Sequence, residues 1–187
     1  MTDPRPLRAD ARRNRDAILA AAREAFDRGD AELRFDDFAA LAGVGVGTLY
    51  RHFPTREALA EAVYHDEVVA LGELARRLLA EQPPREALAA FLHGFVAWLA
   101  EREGLALALT GFIRGRPEVQ VAGGQALAEA VVELVDAARA EGATGLTVGA
   151  VMMALHGMGS TYGAPGGRAD ADALVGLVVA GSLSGRS

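Results

Sequence analysis

Read by the positions of its apolar side chains, the chain resolves into one helical stripe after another. Ile18, Leu19, Ala22, Ala25 and Phe26 recur at three- and four-residue steps between Ala11 and Arg28, the spacing of one helix face. Gly29 ends that stripe, and its "RGD" reads as a turn. A second, short helix is expected from Asp36 to Ala42, stopped by Gly43, and a third from Val46 to Phe53, stopped by Pro54. Thr55 is placed to cap a long fourth helix reaching Glu81, which "QPP" breaks. Between Arg85 and Arg102, Leu88, Phe91, Leu92, Phe95, Trp98 and Leu99 share an inward face. Gly104 interrupts, a short apolar segment runs from Leu105 to Ile113, and "RGRPEVQVAGG" reads as a loop or a weak helix. Leu127, Val131, Leu134, Val135 and Ala138 stripe a helix from Gln125 to Glu141. Thr147 caps a nearly all-apolar helix to Tyr162, "GAPGGRAD" is a loop, and Asp170 or Asp172 caps a last helix to Leu183. No stretch alternates with the two-residue period of a strand, and no segment repeats, so the fold class is all-α.

Composition narrows the class. The chain has 187 residues, is 51% apolar, and is long enough to bury a sizeable core. It contains no cysteine, which removes disulfides, thiolate zinc sites and thiol catalysis and fits a reducing cytoplasm. No uninterrupted apolar run is long enough to span a membrane. The first sixteen residues lack the apolar core of a signal peptide, so a cytoplasmic location is expected. Net charge is −6, unevenly spread: residues 1–60 hold ten Arg and ten acidic residues, residues 61–187 nine Arg and fifteen acidic residues. Arg5, Arg8, Arg12, Arg13 and Arg15 face only Asp10 in a basic N-terminal arm. Such an arm is either a solvated terminus or a local contact for nucleic acid.

The stretch "AGVGVGTLYRHF", Ala42 to Phe53, raises the question of a phosphate-binding loop. A Walker-type loop needs a lysine followed by Ser or Thr after a strand, and the chain has no lysine and no strand there. A dinucleotide loop needs a βαβ unit, which is also missing. A helix-turn-helix meets the constraints. Ala39 is small enough for two helices to cross, Gly43 tolerates the left-handed turn, and Gly45 is an acceptable N-cap for the third helix. Phe38, Ala42, Val44 and Leu49 fall beneath the unit. Val46, Thr48, Tyr50, Arg51 and His52 are left exposed, able to hydrogen-bond or to meet a thymine methyl.

These residues carry a family resemblance. Ile18, Leu19, Ala21, Ala22 and Phe26, then "FAALAGVGVGTLYRHF" from Phe38 to Phe53, then Thr55, Arg56, Glu57 and Leu59, resemble the N-terminal domain of the TetR family of bacterial transcriptional regulators. The resemblance implies that Tyr50 and His52 bond to phosphates and that Val46, Gly47, Thr48 and Arg51 lie in or beside the major groove. It also implies that Arg56 neutralises a phosphate. Gly45 stands where Ser or Thr is common in the family. Arg34 and Phe35 stand where a threonine usually caps the second helix, so Asp36 is expected to take the cap and Arg34 the phosphate. With Val46 and Gly47 offering little polarity, base readout is expected to lean on Arg51, helped by the N-terminal arm in the minor groove.

For the C-terminal region, a solid bundle and a bundle around a cavity both stay open. Phe91, Phe95, Trp98, Leu109, Phe112, Met152 and His156 are the candidates to line an effector pocket, with Leu105, Ile113 and Met153 nearby and Arg114 or Arg116 at its edge. Family members usually bind a small effector there, and the scarcity of polar candidates points to a hydrophobic one. Met152, Leu155 and Gly159, with Leu174, Leu177 and Val178, make the last two helices candidates for a homodimer interface, against packing within one chain. His65, Asp66 and Glu67 are adjacent in a helix and point apart, a poor metal site, and no catalytic constellation or cofactor is expected.

The expectation is therefore a DNA-binding domain over residues 1–54 and an effector and dimerisation domain over residues 55–187. Together they make a homodimeric regulator of a palindromic double-stranded DNA operator. It is a repressor released by a small hydrophobic effector, with no enzymatic activity and no membrane partner. The alternatives are a regulator without an effector, and a small-molecule-binding helical protein whose helix-turn-helix is only structural.

Overall fold

The computed structural model describes residues 4–30, 33–113, 116–143 and 145–183, and side chains within them except residues 4–8, 113, 117–123 and 182–183. The regular elements among the described residues are all helices: α1 (Pro4–Asp27), α2 (Asp37–Leu41), α3 (Val46–His52), α4 (Arg56–Glu81), α5 (Pro84–Glu101), α6 (Glu103–Ile113), α7 (Pro117–Ala140), α8 (Val148–Thr161) and α9 (Gly167–Leu183).

Three elements depart from the apolar pattern. The basic arm is helical, because α1 runs back to Pro4. Pro4 and Pro6 fall in the first turn, where amide hydrogens have no helical partner, so their missing N–H groups cost nothing. The helix expected to begin at Ala11 thus begins seven residues earlier, inside the basic arm. The stretch expected to be a loop or weak helix before Gln125 belongs to α7, which opens with Pro117 in its first turn. The loop before α9 is shorter than expected, and Asp170 lies inside the first turn instead of capping it.

The helices bury two apolar clusters. Ile18, Leu19, Phe26, Phe38, Leu49, Phe53, Leu59 and Val63 form the core under the helix-turn-helix. That core reaches well into α4 and also takes Leu105 and Leu109 from α6. The larger cluster joins Leu71, Leu88, Phe91, Leu92, Val131, Leu134, Val151 and Met158 across α4, α5, α7 and α8, with Val175 of α9. The most extensive helix pair is α4 with α7. Tyr64 and Trp98 pack against both clusters.

Helix α6 docks directly on the end of α1, and glycine is required there. A Cβ built on Gly104 would stand 2.0 Å from the carbonyl oxygen of Asp27, which is backbone and cannot rotate away. Through α1, α4 and α6 the helix-turn-helix unit is therefore mechanically continuous with the C-terminal bundle.

Candidate nucleic-acid interface and ligand cavity

Helices α2 and α3 make a compact turn. Gly43 adopts φ +67°, a left-handed conformation that an L side chain resists, and the Val44 amide closes the turn on the Ala39 carbonyl at 2.9 Å. Gly45 is extended and opens α3 without a side-chain cap. Phe38, Ala39 and Leu49 are buried, which pins α3 by one face. The opposite face stands free: Val46, Gly47, Tyr50 and Arg51 are exposed, with Thr48 and His52 half-buried at its margins. Tyr50 is 46% exposed, so it is not a core aromatic.

The polar groups around this face are already engaged. The Tyr50 hydroxyl donates to Asp36 Oδ1 at 2.9 Å, and its ring meets Phe35 edge-on at 5.2 Å. That hydrogen bond raises the Tyr50 pKa above the ordinary phenol value, so the hydroxyl keeps its proton. The expected Asp36 cap is corrected: Asp36 has helical backbone angles and its side chain accepts from Tyr50, while Asp37 Oδ2 accepts from the Arg34 amide at 2.9 Å. Arg51 Nε donates to the Gly47 carbonyl at 3.0 Å, laying the side chain along the exposed face. Arg34 is exposed and close enough to Tyr50 to act on it electrostatically. Arg56 turns inward: its guanidinium lies over the Phe38 ring at 5.4 Å and donates to the Leu33 carbonyl. Arg15 similarly lies over Phe53 at 5.3 Å.

Behind this unit lies a cavity of about 150 Å³ between α4, α5, α6, α7 and α8. Phe95, Trp98, Leu109, Met152 and His156 line it, as do Leu155 and Gly159. Phe95 and Trp98 stack with ring centroids 6.0 Å apart. Phe91 does not line the cavity; it is fully buried in the bundle core. Phe112 lies in a different depression, between the ends of α1, α4 and α6, with the Arg116 guanidinium 4.3 Å from its ring centre. Arg114 lies outside the described residues.

Among the residues expected to make a dimer contact, Leu155 is 4% exposed and, like Met152 and Gly159, faces the cavity. Leu177 does point outward, and Leu174 and Val178 are half-buried. Met153, expected near the pocket, is instead 75% exposed. The apolar period assigns a stripe to a helix but not to one side of a bundle that is apolar nearly all round.

The sequence places Glu67 only in a poor metal site, whereas the structure makes it the one buried charged residue among those described. Glu67 Oε1 accepts from Arg23 Nε of α1 at 2.8 Å. Oε2 accepts from Trp98 Nε1 at 3.2 Å and from Arg102 at 3.4 Å. Arg23 also pairs with Asp66 at 2.7 Å. The signal was available: Leu59, Val63, Glu67, Leu71 and Ala75 follow one another at four-residue steps, placing a carboxylate on an apolar stripe. Tyr64, one turn before, lines the same cavity, and burial pushes its phenol pKa up.

Comparison with known proteins agrees with the geometry. Residues 18–63 match the bacterial regulatory proteins of the tetR family, and residues 83–182 match the C-terminal domain of SbtR-like transcriptional regulators. The chain is 39% identical to the TetR transcriptional regulator SCO0520 from Streptomyces coelicolor, covering 89% of this chain and 97% of that one with a TM-score of 0.65. It is 33% identical to a TetR transcription regulatory protein from Mycobacterium vanbaalenii, covering 94% and 98% with a TM-score of 0.66. Over 66 residues it is 36% identical to the HTH-type transcriptional regulator SAR0097 of Staphylococcus aureus (strain MRSA252), a match to 34% of this chain and only 35% of that relative's length. An N-terminal helix-turn-helix with one exposed α3 face, a helical bundle behind it, and matches across both halves lead to one conclusion: the chain belongs to the TetR family of transcriptional regulators.

Proposed function

We propose that this regulator acts as a homodimer on a palindromic double-stranded DNA operator and represses until a small, largely hydrophobic effector occupies its cavity. Helix α3 enters the major groove, where Val46, Gly47, Thr48 and Arg51 meet base edges and Tyr50 and His52 hold phosphates. Arg34 adds a phosphate contact. Arg56 does so only by releasing the Leu33 carbonyl. The observation that carries the reading is the free face of α3, pinned by buried Leu49 on one side and exposed from Val46 to Arg51 on the other. A two-fold dimer, with Met153 and Leu177 on its outward α8 and α9 faces, would set two half-sites about 34–36 Å apart, or a little more.

Effector binding works through α4 and α6, which line the cavity and also bury side chains in the helix-turn-helix core. A coupling of about 1–3 kcal/mol is ordinary for such linked sites. Fluorescence anisotropy against DNA upstream of the protein's own gene and against random DNA, over a salt series, tests the reading. Arg51→Ala should lose discrimination between sequences, and Tyr50→Phe should weaken binding to all of them. Binding no tighter than to random DNA, followed by an empty genome-wide DNA selection, would end it.

A further inference from the structure

We infer that the cavity takes a molecule of single-ring size that is apolar over most of its surface and presents one hydrogen-bond donor, an ammonium or a hydroxyl, to Glu67. This rests on the effector reading above and names the chemistry of the ligand.

Size comes first. A cavity of about 150 Å³ is the volume in which an engineered apolar site holds benzene. The walls formed by Val68, Leu71, Phe95, Leu99, Leu127 and Met152 suit a ring or a short branched chain. Charge comes next. Among the described residues, Glu67 is the one carboxylate in the lining, and no arginine belongs to it. Arg23 and Arg102 hold Glu67 from outside the cavity wall. An anionic ligand would meet that carboxylate with no arginine in the described lining to offset it and His156 as its one imidazole, in surroundings where charges interact more strongly than in water. A donor meets the opposite situation.

Glu67 has room for that donor. A carboxylate offers about four lone-pair sites, and three are taken. The two bonds at Oε2, 3.2 Å from Trp98 and 3.4 Å from Arg102, are long, whereas the Arg23 bond at Oε1 is 2.8 Å. A ligand donor therefore competes at Oε2 with the weaker partners. Thr110 cannot donate to a ligand without giving up the Gly159 carbonyl, to which its hydroxyl already donates at 3.2 Å, so its remaining lone pairs also favour a ligand that brings a donor.

The position of Glu67 also gives occupancy a consequence. Its other oxygen is half of the clamp by which α4 holds Arg23 of α1, the first helix of the DNA-reading unit. A cation arriving at Glu67 shares the negative charge that binds Arg23 and loosens that clamp. Ligand identity and DNA release thus meet at one side chain.

Trp98 is the single tryptophan, lines the cavity and bonds to Glu67, so its emission reports occupancy without DNA. The full chain is titrated with benzylamine, toluene and benzoate at neutral pH. Benzylamine should bind at least tenfold more tightly than toluene, as a hydrogen bond to a charged group provides, and benzoate more weakly than toluene. The ranking on the unaltered chain tests the inference without any variant. Glu67→Gln, with folding checked by circular dichroism, should keep toluene binding and collapse the benzylamine advantage. Thr110→Phe, which fills the cavity, should abolish the response to all three. Equal binding of benzylamine and toluene, a preference for benzoate, an advantage that survives Glu67→Gln, or no response to any probe would each overturn the inference. Anisotropy on DNA reads the regulator function separately. Specific DNA binding without the probe ranking removes only this inference, and the ranking without specific DNA binding removes only the regulator reading.

Discussion

Asp36 places a carboxylate inside the surface that is proposed to meet phosphate, and removing its charge should tighten DNA binding. The Tyr50 hydroxyl donates to Asp36 Oδ1 at 2.9 Å, and a hydroxyl has one proton to give. To donate to a phosphate, Tyr50 must let go of Asp36. A phosphate oxygen accepting that proton would sit about 2.7 Å from the hydroxyl, leaving the two anions about 5 Å apart. Their repulsion is about 0.8 kcal/mol at the dielectric of water and about 3 kcal/mol at that typical of a protein surface. Tyr50 is 46% exposed, so the watery end applies, about 1 kcal/mol for each half-site. Asp36→Asn keeps an acceptor for Tyr50 and removes only the charge. Its DNA affinity should rise about fivefold per half-site and about 25-fold for a dimer on a full operator. Anisotropy at low and at physiological salt is the assay, and the gain should shrink as salt screens the pair. An unchanged or weakened affinity would refute the charge argument and leave Asp36 as a positioning partner of Tyr50.

Two further outcomes follow from the packing and the caps. Gly104→Ala puts a Cβ 2.0 Å from the Asp27 carbonyl oxygen, so the α1–α6 joint must open; a loss of about 1–3 kcal/mol is expected in urea unfolding, and an unchanged midpoint would contradict the close approach. Glu57, in the first turn of α4, has its pKa lowered from 4.5 chiefly by a backbone hydrogen bond, then by the Thr55 side chain, then by Arg116 and Arg56. A lowered folded pKa means stability that is present above pH 4.5 and fades as pH falls through the folded value, so Glu57→Gln should melt earlier at pH 6 and show a smaller drop between pH 6 and pH 3.5.

The periodicity of the chain determined a good deal by itself. Helix existence and class follow from local rules: apolar side chains at three- and four-residue steps, Gly43 and Pro54 as stops, and Thr55 and Thr147 as caps that accept from Ala58 and Ala150. The helix-turn-helix was legible for the same reason. Its fold is set within sixteen residues, and left-handed Gly43 and buried Leu49 sit where the spacing puts them. What lies between distant segments was not legible. A stripe of apolar residues on α5 or α8 has no label saying which members touch another helix and which border empty space, so Phe91 went to the core and Leu155 to the cavity wall. The inward turn of Arg56 onto Leu33 and the Tyr50–Asp36 bond needed the angle between α2, α3 and α4. The Glu67 cluster needed most of all. Its partners Arg23, Trp98 and Arg102 lie 44, 31 and 35 residues away, and a buried carboxylate is tolerable only where tertiary packing delivers such donors to it.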